Sequence, residues 1–377
     1  MTTALILSGG GARAAYQAGV LKAVAKILPA NAYNPFPIIC GTSAGAINTL
    51  ALVGRQGSFN SRVMELENLW RNLTAEKVYR TDCLSVLSNT LKLALSVFLN
   101  TAGIPQPLAL LDNAPLKKLL EEIINFHDMD EAIASGYLKA VAITAMSYST
   151  GQSISFFQGD HNNWQRARRM GLRTGLTLDH LMASAAIPTL FPPVKIGTRY
   201  FGDGALRQLK PLSPALHLGA DRLFVIGVSD NAVHRNRPEA SYRSPTIAQM
   251  IGHMLNSAFI DTLESDLETL RAINKIARSI DASNCEHPDS ADIKYVEYLT
   301  ITPSRAINEL AEHYVHELPR TVRTFLRVTG AKAGESGSSA ASYLLFEPGF
   351  CGQLIDMGYE DTLKQKNEVL EFFRIAG

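Results

Sequence analysis

The chain predicts an α/β fold: a three-layer α/β/α sandwich around a mostly parallel sheet, followed by a mostly helical region. Three observations predict it. Two short apolar runs, Ala4–Leu7 and Ile38–Cys40, each lead through a glycine-containing turn into apolar residues at helical spacing. A third buried-type run, Arg222–Val228, closes the first part of the chain. Strands alternating with helical stretches place helices on the faces of a parallel sheet.

The 377 residues are 46% hydrophobic and 19% charged, enough for a large core. A net charge of +1 gives no global field for nucleic acid. Cys40, Cys83, Cys285 and Cys351 form no Cys-x-x-Cys, so neither a zinc site nor a disulfide framework is expected. With no basic leader before Gly9 and no long apolar run, the expectation is a cytoplasmic protein, peripheral at most to the inner membrane face. Residues 1–64 contain no Asp or Glu, yet carry Arg13, Lys22, Lys26, Arg55 and Arg62. A site built from them would be electropositive and suited to an oxyanion.

The first strand runs into Ser8-Gly9-Gly10-Gly11-Ala12-Arg13-Ala14, and a helix follows with Ala15, Ala18, Leu21 and Val24 on its apolar face. Three glycines leave bare backbone amides that a ligand can approach. Gly9-x-Gly11-x-x-Ala14 satisfies a relaxed dinucleotide fingerprint, which would make the protein a nucleotide-binding oxidoreductase. That reading needs an acid at the end of the next strand, and the next strand ends in Cys40-Gly41-Thr42-Ser43. The competing readings are an oxyanion hole and a glycine turn without chemistry.

Gly41-Thr42-Ser43-Ala44-Gly45 fits Gly-x-Ser-x-Gly between a strand and a helix, the setting of a nucleophile elbow. The sharp turn needs small neighbours, which Gly41 and Gly45 supply. Ser43 would sit at the positive end of the next helix, where a developing alkoxide is favoured.

Together these motifs resemble the patatin-like phospholipases. Two further stretches carry the resemblance: Phe201-Gly202-Asp203-Gly204-Ala205 and Ala183-Ser184-Ala185-Ala186-Ile187-Pro188-Thr189-Leu190-Phe191-Pro192-Pro193. The resemblance implies a patatin-like fold and phospholipase A or lysophospholipase activity without metal or cofactor. It makes Ser43 the nucleophile and Asp203 its base, without histidine. Gly9, Gly10, Gly11 and Arg13 carry over as the oxyanion loop, and the Ala44 amide adjoins it. Ser8 and Ala14 depart from the family, which often has Asp and Gly there. The implied partner is a phospholipid or other acyl-ester lipid at a membrane surface. A fold of this type that docks on membrane or protein without turnover is the other reading; the intact Ser43 and Asp203 argue against it. A carboxylate near its ordinary pKa is a weak base at neutrality, so burial is expected to raise Asp203. His217, His234 and His253 follow Asp203 and are the candidates for a triad instead.

The remaining elements follow in order. Gly54–Asn60 reads as a linker before a helix carrying Val63, Leu66, Leu69 and Trp70. Leu84–Leu99 reads as an amphipathic helix with one charge, Lys92, either packed on the core or lining an acyl groove or membrane contact. Leu108–Ile124 contains another helix. Leu138–Ala145 is a strand with a hairpin partner at Ser153–Phe157. Thr177–Ser184 is helical, and Lys195–Phe201 is a strand ending beside Asp203. These place a catalytic core in residues 1–230 and a mostly helical region packed on it in 231–377. In the latter, Ser244-Pro245 starts a long helix whose buried side is marked by Ile247, Ile251, Met254, Ala258, Leu263, Leu267, Leu270 and Ile273. A strand at Lys294–Ile301 follows, then helices at Ile307–His316, Thr321–Thr329 and Asp361–Phe373. Gly330–Ser342 reads as a loop.

Overall fold

The computed structural model describes residues 1–29, 34–82, 109–229, 246–283, 294–328 and 337–375. The helix expected at Leu84–Leu99 and the triad candidate His234 lie outside them.

The architecture is the expected sandwich. Strands β1 (Thr3–Leu7), β2 (Ile38–Thr42), β3 (Ala140–Ser147), β4 (Ser153–Gly159), β5 (Trp164–Arg166), β6 (Arg169–Arg173), β7 (Val194–Ile196), β8 (Arg199–Asp203), β9 (Arg222–Ile226) and β10 (Glu297–Ile301) share one sheet. Its order is β10-β9-β1-β2-β3-β4-β6-β5. From β10 to β3 every neighbouring pair is parallel. Alternate residues of β1 and β2 face opposite sides, as strand geometry requires. Leu5, Leu7 and Ile39 enter one core; Ala4, Ile6, Ile38 and Cys40 enter the other. The first core is covered by α1 (Ala15–Ile27), α2 (Ala44–Val53) and α3 (Phe59–Arg71). The second is covered by the helices Ser213–His217 and Thr262–Ser283.

One register detail brings the site together. β3 is eight residues long, and β2 pairs with only its first five, ending at Thr42 opposite Thr144. β8 arrives from the other direction and pairs antiparallel with the remainder, ending with Asp203 opposite Ala145. Two segments 160 positions apart therefore end head to head along one edge of β3.

Several elements differ from the sequence reading. The strand expected at Lys195–Phe201 is a hairpin of β7 and β8, turned at Gly197 with φ 59°. The expected linker already holds the first turn of α3, because the Ser58 side chain accepts the Ser61 amide as an N-cap. The long helix is capped by Thr246, whose box with Gln249 replaces the expected Ser244-Pro245 start. A π-turn at Ser257–Asp261 then interrupts it. The expected stripe resumes beyond it, with Leu263, Leu267 and Leu270 buried. Leu255, Phe259 and Ile260 are buried, whereas Met254 is 68% and Ile273 41% exposed. Within the expected loop, Gly337–Leu344 is a helix. The last long helix begins at Pro348, well before Asp361. Glycines serve its packing on α1: a Cβ on Gly358 would strike the Tyr16 carbonyl, and one on Gly19 of α1 the Ile355 carbonyl. They let the two helices cross closely.

Candidate active site

Ser43 is the N-cap of α2, with φ 55° and ψ −127°. A non-glycine residue reaches that region only when its surroundings hold it there. Gly45 is tucked against the carbonyls of Leu7 and Ser8, and Gly41 against Thr49 and the Gly45 carbonyl, leaving no room for side chains at either position. Ser184 Oγ accepts the Ser43 amide at 2.9 Å and donates to the Thr144 carbonyl at 2.7 Å. The elbow is thus pinned to β3 by a serine from the Ala183–Pro193 stretch.

Asp203 is fully buried at the end of β8. Its amide donates to the Ala186 carbonyl at 2.8 Å, and Oδ1 accepts the Ala205 amide at 2.9 Å. Oδ2 is buried and meets no donor at full hydrogen-bond geometry among the described residues. Burial pushes the Asp203 pKa up to about 7, while hydrogen bonding from the Ser43 side chain and the Ala205 amide pulls it down. The Ser43 side chain is thus among the groups near enough to act on this carboxyl, and a pKa raised toward neutrality suits a proton acceptor there. The expected elevation is present, with burial complete rather than partial.

The glycine loop lies over the same spot. A Cβ on Gly9 would come within 3.0 Å of Ser43 Cβ and 2.6 Å of the Phe259 ring. No described backbone carbonyl accepts from the Gly9 or Gly10 amide. Gly11 has φ 55°, and a Cβ there would run into the Tyr343 carbonyl. Gly11→Ala should therefore unfold at lower temperature, by about 1–3 kcal/mol in stability, and lose turnover as the loop shifts. A thermal melt beside an esterase assay checks both.

Arg13 turns away from Ser43. Its guanidinium donates to Ser342 Oγ at 2.8 Å and Asn308 Oδ1 at 2.6 Å, and lies 4.0 Å from the Tyr343 ring centre. Of the two roles open to it, reinforcing the oxyanion field or steadying the loop, these contacts serve the second. A second clamp was not legible in the sequence. Gln17 Nε2 donates to the Ser8 carbonyl, Asn48 Nδ2 to Gln17 Oε1 and the Ala14 carbonyl, and Trp70 Nε1 to Asn48 Oδ1. This buried chain ties loop, elbow helix and α3 together.

Ser43 opens onto an apolar cavity. Ile47, Leu69, Trp70, Leu116, Leu120 and Phe191 are among its walls, and Gly11 and Ser43 lie at its polar end. No described histidine bonds to either residue. His217 packs at a tilt against Trp164 with ring centres 5.0 Å apart, and His253 is exposed on its helix. His180, buried behind Phe156, is bonded to Thr177.

A strained serine elbow at a strand end, a buried carboxyl near it and bare amides above are the parts that serine-hydrolase chemistry on an α/β sheet would need. The family model for patatin-like phospholipase matches residues 5–216, and the chain belongs to that family. A cGAMP-activated phospholipase of Pseudomonas aeruginosa is 29% identical over 214 residues, 56% of this chain and 55% of that protein. The match thus spans about half the length of that relative. Among solved structures, human GIVD cytosolic phospholipase A2 in complex with methyl gamma-linolenyl fluorophosphonate and terbium chloride aligns with 99% of this chain and 59% of its own, at 12% identity and TM-score 0.44. VipD from Legionella pneumophila aligns with 97% and 67%, at 12% identity and TM-score 0.35.

Proposed function

We propose that this chain is a serine lipid acyl hydrolase of phospholipase A or lysophospholipase type, acting through Ser43 and Asp203. The observation that supports the reading is the strained Ser43 at the polar end of an apolar cavity, with the buried Asp203 carboxyl near enough for the Ser43 side chain to influence its pKa. Asp203 takes the Ser43 proton as Oγ attacks the ester carbonyl. Amides of Gly9, Gly10, Gly11 and Ala44 receive the oxyanion. The leaving alcohol takes the proton from Asp203, and an acyl-serine remains. Water then attacks, again giving its proton to Asp203. The fatty acid leaves and Ser43 regains its hydrogen.

The test is release of fatty acid from phosphatidylcholine mixed micelles by purified protein. Turnover is expected; none, with or without an effector, would remove the reading. If the cavity holds the acyl chain, Ile47→Phe should shift preference to shorter chains. An increase of about tenfold in KM for long-chain esters, with short-chain esters spared, is the expected result. A chain-length series of p-nitrophenyl esters reads it.

A second reading concerns control. The Pseudomonas relative is described as cGAMP-activated. Ser43 here is only 2% exposed, which favours a form that must open before it turns over. On this reading cGAMP raises the rate of fatty acid release, and an unchanged rate removes it.

A further inference from the structure

The sheet edge beyond β4 carries a second cleft that the proposed reaction does not use. It encloses about 240 Å³. Arg168, Arg169, Arg207 and Lys210 line it, with the hydroxyls of Ser153 and Ser155. Lys210 is paired with Asp266 at 3.2 Å, but among the described residues no carboxylate pairs with Arg168, Arg169 or Arg207. Arg169 Nε donates to Ser213 Oγ at 3.2 Å. Arg168 occupies the turn between β5 and β6 with φ 60°, a conformation glycine adopts freely and arginine rarely. The local field is felt nearby: the His217 pKa is lowered by burial first, then by the charges of Arg166 and Arg169.

The cleft is also wired to the elbow. Gln208 lines it and is buried. Its side-chain oxygen accepts from Thr42 Oγ1, next to Ser43, and its Nε2 donates to Thr144 Oγ1 at 3.1 Å. The amides of Arg207 and Gln208 both donate to the Gly204 carbonyl, at 3.1 and 3.0 Å, in the turn that Asp203 caps. A group pulling on Arg207 therefore acts on the turn that holds the Asp203 carboxyl.

We propose that this cleft binds a small phosphate-bearing anion through Arg168, Arg169 and Arg207, and that its occupancy is passed to Ser43 and Asp203 through Gln208. Guanidinium forks match phosphate oxygens, and unpaired arginines around a cleft are the arrangement that captures them. The binding part is independent of the hydrolase reading; the coupling part rests on it.

Calorimetric titration of the full chain with inorganic pyrophosphate, cGAMP and phosphatidylglycerol vesicles tests the binding part without any turnover. At least one probe should bind, and R168A/R207A, both at exposed positions, should weaken it tenfold or more at an unchanged melting temperature. Binding of pyrophosphate or cGAMP identifies a soluble anion, and binding of vesicles alone identifies a lipid headgroup; either supports the site. No binding by any probe, or equal affinity in the variant, overturns it. For the coupling, the bound probe should change fatty acid release at least threefold in wild type and not in R168A/R207A. An equal response in both, or none in wild type that binds and hydrolyses, overturns that part.

Discussion

Ser43→Ala is expected to lower kcat for ester hydrolysis by about 10⁴-fold or more while leaving the melting temperature close to that of the wild type. The loss follows from chemistry: without Oγ there is no acyl-serine, and water must attack directly. Stability is spared because alanine inherits the same strained φ of 55°. Ser43→Gly separates the two effects further. Glycine adopts that conformation without penalty, so this variant should be equally inactive yet more stable, by about 1 kcal/mol. Paired activity assays and thermal melts of the three proteins read the difference. A variant lacking Oγ that still turned over at more than about 1% would point to another nucleophile.

Asp203→Asn carries the second large effect, with opposite signs for activity and stability. Asparagine keeps the shape and can still accept the Ala205 amide, but it cannot take the Ser43 proton. A loss of about 10²–10⁴-fold in kcat is expected. In the wild type the base form is needed, so kcat/KM should rise with pH and level off above about 7. The stability sign runs the other way. The unfolded carboxyl titrates near its ordinary value of 3.8 and the folded one near 7, so between these values the folded state holds the extra proton. Burial of the neutral acid is thus favoured below about pH 4, and that advantage is lost as pH rises to 7. Asp203→Asn abolishes this slope and should be more stable than wild type at pH 8, by roughly 1–4 kcal/mol. Denaturant melts at pH 5 and pH 8 measure it; a wild-type stability equally independent of pH would contradict the buried, proton-holding carboxyl.

Much of this site was legible because its chemistry is local. Gly41 to Gly45 and Gly9 to Gly11 announce themselves by backbone need: a φ of 55° at Ser43 and at Gly11 leaves a mark that short motifs carry. Asp203 needed more, since Asp-Gly is ordinarily a turn; its neighbours in the chain and the motifs upstream singled it out. The parts that stayed hidden are long-range and use common residue types. Ser184 supports an elbow 141 positions away, Arg13 reaches Ser342 across 329 positions, and Gln208 bonds to Thr42 across 166. No spacing rule connects such pairs, because the sheet order that joins them is a property of the whole chain. Periodicity failed for a different reason at Met254 and Ile273. The expected Leu263, Leu267 and Leu270 are buried, but the buried face takes Leu255 rather than its neighbour Met254 and Asn274 rather than Ile273, a one-residue choice that apolar spacing does not resolve. Gly358 carried no signal in the sequence, yet it is the contact that lets the last long helix lie against α1.

The most direct measurement is covalent labelling with a fluorophosphonate, the modified residue located by peptide mass spectrometry. Attack on phosphorus asks for an activated serine with an oxyanion site, and it does not depend on knowing the lipid. The account predicts one adduct, on the peptide containing Ser43, absent from Ser43→Ala and formed at least a hundredfold more slowly in Asp203→Asn. An adduct on any other serine, or labelling of Ser43 at an unchanged rate without the Asp203 carboxylate, would contradict it.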